Sequence, residues 1–143
     1  MNLIEVKGGT KFEKECVVKV VDFCLKVLLP KVRTLEISVA IKKIKDDSAV
    51  GYCMMGDNTK EYEIEVAKGQ SLREFVSTIT HEMVHVKQYY RKEMNDTKLP
   101  DGNYKWKNET ICGKTPYQDL PWEKEAYELQ DELADKIWHL NVI

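Results

Sequence analysis

The sequence predicts an α+β fold in which three helices cover a small, mostly antiparallel sheet. Three observations predict it. Three stretches repeat apolar residues at helical spacing, others alternate apolar and polar residues, and the order runs helix, strand, strand, strand, helix, loop, helix. A length of 143 residues, 43% of them apolar and 32% charged, suits one folded domain over residues 1–143 and not a disordered chain.

Residues 12–29, FEKECVVKVVDFCLKVLL, bring Val17, Val20, Val21, Cys24, Leu25 and Leu28 to one face of a helix that Pro30 ends. Cys16 and Cys24 fall on that side, where a thiol serves as a small core hydrophobe. In LEISVAIKKI, Leu35, Ile37, Val39 and Ile41 share one side of a strand. SAVGYCMMG is a shorter strand, starting at Ser48, that runs into the turn signal GDN. KEYEIEVA alternates again, with Tyr62, Ile64 and Val66 opposite Glu61, Glu63 and Glu65, so these last two strands form an antiparallel hairpin. Ser71 and Glu74 make a capping box that starts the second helix. Its expected buried stripe is Leu72, Phe75, Val76, Ile79, Met83, Val86 and Tyr90. Residues 95–120 have no periodicity and read as a long loop, a feature that in a small domain points to function. Pro121 suits a first helical position, and Ala126, Leu129, Leu133, Ile137 and Leu140 form the inner face of the last helix, extended by Trp122 and Trp138.

The net charge is -2 and the lysines are scattered, so no basic tract advertises nucleic-acid binding. No apolar run approaches the roughly 20 residues that span a bilayer, and the polar N-terminal stretch does not read as an export signal. Cys16, Cys24, Cys53 and Cys112 form no C-x-x-C pair, which excludes a zinc ribbon. The expectation is a cytoplasmic protein with reduced thiols and no membrane partner.

The second helix carries THEMVHVKQYY, residues 80–90. His81 and His85 are four residues apart, so their imidazoles leave one face a turn from each other and can reach one cation. Glu82 is offset by about 100° and instead can hold a water at that cation. This is the mechanical reason that H-E-x-x-H suits a zinc-activated water. Two of the three histidines of the chain fall in this turn, mid-helix, and Thr78, Val84 and Gln88 share their side. A third ligand has to come from elsewhere, and the last helix offers Glu123, Glu125 and Glu128. Glu123 and Glu125 differ by about 200° around the helix, so only one of them can face the ion.

HEMVH followed by a helix with EKEAY resembles the gluzincin group of zinc metallopeptidases. The resemblance implies a His2Glu site completed by the glutamate of a Glu-x-x-Ala pattern, which Glu123 to Ala126 match, with Glu125 in reserve. Tyr127 stands where that group often has Asp or Asn. Over residues 60–130 the chain is also similar to small phage- or bacterium-encoded metallopeptidases of the SprT-like kind, which use a third histidine and often a ribbon. His139 is the one residue here that fits such a histidine. Both resemblances imply a minimal zincin-like domain holding one catalytic Zn²⁺ and hydrolysing peptide bonds of a peptide or protein substrate.

The expected ligands are therefore His81, His85 and Glu123, with Glu82 as general base. Tyr104 and Tyr117, in the long loop, are candidate oxyanion donors. Tyr89 is a candidate wall of the site, and Cys112 a candidate blocking thiolate. In the related enzymes the strand before the motif helix presents its edge to an extended peptide, which assigns that role to EYEIEVA. Two rival readings stand beside the peptidase: a zinc-binding interaction module without proteolysis, and a nucleic-acid-associated protease of the SprT-like sort.

Overall fold

The described chain, residues 1–45, 49–95 and 98–143 of a computed structural model, starts with a strand that sequence patterning did not predict, β1 (Leu3–Lys7). Only Ile4 and Val6 of its five residues turn toward the core, too few to register as alternation. Gly8 and Gly9 then turn the chain with φ of 80° and 76°. A Cβ at Gly8 would collide with the Ile41 carbonyl, so the close crossing there requires glycine. Helix α1 (Lys11–Leu28) follows, opened by a capping box in which Thr10 and Glu13 exchange side-chain and backbone bonds.

Strands β2 (Glu36–Lys42), β3 (Gly51–Met55) and β4 (Glu61–Ala67) complete a four-stranded sheet of order β1-β2-β4-β3. The broad α+β class is as predicted, and so is the antiparallel hairpin of β3 and β4. The sheet is nevertheless mixed and not mostly antiparallel, because β1 pairs with β2, and β2 with β4, in parallel. Parallel neighbours need a crossover of a dozen or more residues. Helix α1 supplies the first, and residues 43–60, which contain β3, supply the second. Strand β4 thus docks beside β2 and leaves β3 on the outer edge. Ser48, the expected start of the third strand, lies outside the described residues.

One face of this sheet is apolar. Ile37, Val39 and Ile41 of β2 lie in register with Tyr62, Ile64 and Val66 of β4, and all six are buried. Against them pack Val17, Val20, Val21 and Cys24 of α1, and Phe75, Ile79 and Met83 of α2 (Leu72–Tyr90). Ser71 caps α2 as expected, its hydroxyl accepting the Glu74 N–H at 3.2 Å. Leu72, expected in the stripe, is the first residue of α2 and is exposed. Helix α3 (Pro121–His139) lies on α2 through Ala126, Leu133 and Ile137; Leu140, expected inside, falls past its end and is exposed.

The long loop is more structured than its sequence implied. β5 (Met94–Asn95), β6 (Tyr104–Trp106) and β7 (Glu109–Ile111) form a small antiparallel sheet. Lys107 and Asn108, both at positive φ, turn β6 into β7. The buried side chains of Met94, Trp106 and Trp122 make a second cluster under this sheet. Strands of two and three residues are too short to show a period, which is why the segment read as a loop. Asp96 and Thr97 of that loop lie outside the described residues. No helix among the described residues is long and apolar enough to cross a membrane.

Candidate metal centre

The capped α2 places His81, Glu82 and His85 in its middle turns, and α3 brings Glu123 to them from its first turn. Pro121 at the first helical position starts α3 without a side-chain cap, which sets Glu123 in the first turn of the helix and over α2. The Nε2 atom of His81 lies 3.0 Å from Glu123 Oε1, and that of His85 lies 3.3 Å from the same oxygen. Donor atoms of the three residues all fall within 4.8 Å of one another, and the group could hold a metal ion. The expected third ligand is thus brought to the two histidines.

The chemistry of the donor set also suits a cation. The Nδ1 of His85 meets Gln88 Oε1 at 2.7 Å. The amide nitrogen of Gln88 donates to the Trp122 carbonyl and to Glu125 Oε1, so its oxygen must be the end that faces His85. His85 therefore donates from Nδ1 and turns Nε2 inward. His81 makes the matching contact from Nδ1 to Gln130 Oε1 at 2.9 Å. Two inward nitrogens and a carboxylate oxygen repel one another unless protons or a metal ion lie between them. Burial alone would push His85 down, but the hydrogen bond and charge of Glu123, then Glu82 and Gln88, carry its pKa upward. Burial likewise opposes the charge on Glu123, yet the bonds from His81 and His85, the charge of His85 and the bond from Tyr117 hold it at about 2.

Glu82 is not part of this triangle. It is 4% exposed, and its Oε2 meets no hydrogen-bond donor among the described residues. Burial raises its pKa, against the lowering influence of His85 and His81. An unpartnered buried carboxylate oxygen beside a metal-capable group is the arrangement a general base needs. Gly51 of β3 lets the sheet edge press on this side of α2. A Cβ there would sit 2.7 Å from Thr78 Cγ2 and 3.3 Å from Glu82 Cγ.

The site opens into a cleft of about 780 Å³ between the β3 edge and the start of α3, lined by Gly51, Tyr52, Tyr89, Trp122 and Tyr127. The expected peptide-binding edge on β4 is corrected here. Strand β4 is paired on both sides, so the open edge beside the site belongs to β3. Tyr117 reaches the centre, its hydroxyl donating to Glu123 Oε1 at 2.9 Å. Burial, then the Glu123 charge, raises the Tyr117 pKa and keeps the hydroxyl protonated. Tyr104 does not line the cleft; its ring packs on Trp122 with centroids 5.3 Å apart. Tyr89 walls the cleft and packs on Tyr62.

The reserve ligands are elsewhere. Glu125 pairs with Lys87 at 2.8 Å and Lys107 at 3.6 Å, and accepts from Gln88, so it supports the site from behind. Burial opposes its charge too, but Lys87 and Gln88 outweigh that and lower its pKa. Glu128 is exposed, Cys112 is exposed, and His139 is exposed at the far end of α3, roughly 24 Å along the axis from Glu123. The partners of the imidazoles, Gln88 and Gln130, were not recognised as such from sequence. Gln88 stood on the polar side of the helix with the histidines, which was the available signal. Tyr127, where the resembled group often has Asp or Asn, packs its ring on His81 at 4.6 Å, while Gln130 one turn on holds the imidazole. Compared with models of known protein families, with curated proteins and with solved structures, the chain matches none.

Proposed function

We propose that this chain is a zinc-dependent peptidase with His81, His85 and Glu123 as ligands and Glu82 as general base. One observation carries the reading: Glu82 Oε2, buried without a hydrogen-bond donor among the described residues, beside three converging ligand atoms in an open cleft. Zinc bonds of about 2.0–2.2 Å at tetrahedral angles set ligand atoms roughly 3.3–3.6 Å apart. The separations of 3.0 and 3.3 Å lie near that edge, and two nitrogens with one oxygen leave a fourth position open. Zinc held there supplies an acidified water and a Lewis acid for the scissile carbonyl.

The remaining work falls to the protein. Glu82 accepts a proton from the attacking water and returns it to the leaving amine, so the net reaction adds one water across one peptide bond. Its raised pKa suits both halves of that transfer. Tyr117, held protonated beside Glu123, turns its single O–H from the Glu123 carboxylate to the carbonyl oxygen as negative charge gathers there. An extended peptide adds along β3, the outer strand of the sheet, where backbone pairing supplies affinity with little demand on side chains. None of the four cysteines forms a disulfide among the described residues, in keeping with the reading of a reducing, cytoplasmic setting.

The test is elemental analysis together with cleavage of a peptide library. One equivalent of zinc and metal-dependent cleavage are expected of the wild type. Glu123→Ala loses the zinc, while Glu82→Gln keeps it and loses about 10²–10⁴-fold in turnover. A Glu82→Gln variant that cleaves at the wild-type rate would overturn the mechanism. Zinc retained with no cleavage of any peptide would leave a zinc-binding interaction module instead.

A further inference from the structure

A second cavity, of about 450 Å³, adjoins the metal cleft and shares Tyr89 and Met94 with it. Met55, the last residue of β3, lines it, and so do Lys92, Lys105 and Lys107. Among the described residues the charges around it do not cancel. Lys87 pairs with Glu93 at 2.7 Å and with Glu125 at 2.8 Å, and Lys107 lies 3.9 and 3.6 Å from the same two acids. Those two acids and two lysines balance. Lys92 and Lys105 make no ion pair among the described residues, which leaves two positive charges facing the cavity.

The backbone adds an independent observation. Lys92 follows the end of α2 at φ 57°, in a Schellman turn closed by the bonds Lys92 N to Tyr89 O and Glu93 N to Gln88 O. Glycine is the usual residue at that position because it adopts positive φ without strain. Lys107, at φ 47°, opens the β6–β7 turn at another position where asparagine or glycine costs less. Two cavity lysines therefore sit where a lysine works against the local backbone.

We infer that this cavity is a specificity subsite for an acidic side chain of an extended peptide bound along β3. The inference rests on the peptidase reading, and it fixes the distance of the acid from the scissile bond. Gly51 is level with Glu82, and Met55, four residues on, borders the cavity. At about 3.3 Å per residue that is roughly 13 Å, so the acid lies three or four residues from the bond that is cut. The lysines are exposed, and exposed pairs are weak, so the preference for Glu over Ala is about three- to tenfold and fades in high salt.

The experiment uses the zinc-loaded full chain and alanine-based peptides in which a Glu pair, or a Lys pair, is moved along the sequence. Cleavage reports kcat/KM, and anisotropy of the fluorescein-labelled peptides on the Glu82→Gln chain reports binding without turnover. Glu three or four residues to one side of the cut is expected to raise both, and Lys92→Glu with Lys105→Glu to turn the preference toward Lys. Lys92→Gly is expected to weaken the acid preference while the melting temperature holds or rises, because it relieves the positive φ. Cleavage without an acid preference, or a preference that survives charge reversal, overturns the subsite and leaves the peptidase. Lysine-dependent binding of the Glu peptide without any cleavage by the wild type keeps the acid site and overturns the peptidase.

Discussion

Gln88→Met tests whether the centre is held from behind by Gln88. Gln88 is fully buried and holds three partners: His85 Nδ1 at 2.7 Å, the Trp122 carbonyl at 2.9 Å and Glu125 at 3.1 Å. Methionine keeps the length of the side chain and most of its volume, so the loss falls on hydrogen bonding and not on packing. Glu125 retains Lys87 and the Trp122 carbonyl keeps its place in the helical ladder of α3, but the His85 N–H is left without a partner. A buried orphan costs about 1–3 kcal/mol, which puts the metal-free chain lower in stability by about that amount. For a domain of this size that is roughly 4–12 °C in Tm. Zinc affinity falls by about 10–100-fold, because the imidazole loses the group that orients it. Gln130→Met is the comparison. It removes one bond, to His81 Nδ1, from a half-exposed side chain that water can replace. A similar loss of zinc affinity with a Tm change of only a few degrees is expected there. Thermal melts of metal-free protein and chelator competition for zinc measure both. Metal-free Gln88→Met melting with the wild type and binding zinc as tightly would refute the reasoning.

Gly51→Ala puts a methyl 2.7 Å from Thr78 Cγ2, and Thr78 is itself fastened to Gln70 and to the Glu74 carbonyl, so β3 or Glu82 must move. A loss of about 1–3 kcal/mol in a denaturant melt, with a fall in kcat, is expected; unchanged turnover would show that β3 does not set the position of Glu82. Zinc must displace the proton that His85 holds above its ordinary value of 6.5, so binding releases a proton and tightens as pH rises through that region. Calorimetry in buffers of differing ionisation enthalpy reads the release directly, and an affinity independent of pH between about 6 and 8 would contradict it.

Much of the fold was legible because its elements are long enough to show a period. The cap at Ser71, Pro121 at the first helical position, the alternation over residues 61–67 and, Leu72 and Leu140 apart, the inner faces of the helices appear as read. What escaped was short or non-local. β1 has two inward residues, β6 and β7 have three residues each, and the parallel pairing of β2 with β4 depends on where β3 folds back. For the site, the helix angle alone said that Glu123 and Glu125 could not both face one ion. Glu123 meets the histidines, whereas Glu125 meets Lys87 and Gln88 on the other flank. The spacing within one helix revealed His81 and His85, but their amide partners required α2 and α3 to be docked, which no local pattern encodes.

That docking has a consequence for when activity begins. The histidines and the base belong to α2, but the acid that completes their triangle arrives with α3, after the small sheet of residues 94–111. A nascent chain that has exposed only α2 carries half a site. On the peptidase reading proposed above, cleaving power is withheld during synthesis until α3 has emerged and settled, which spares neighbouring nascent segments.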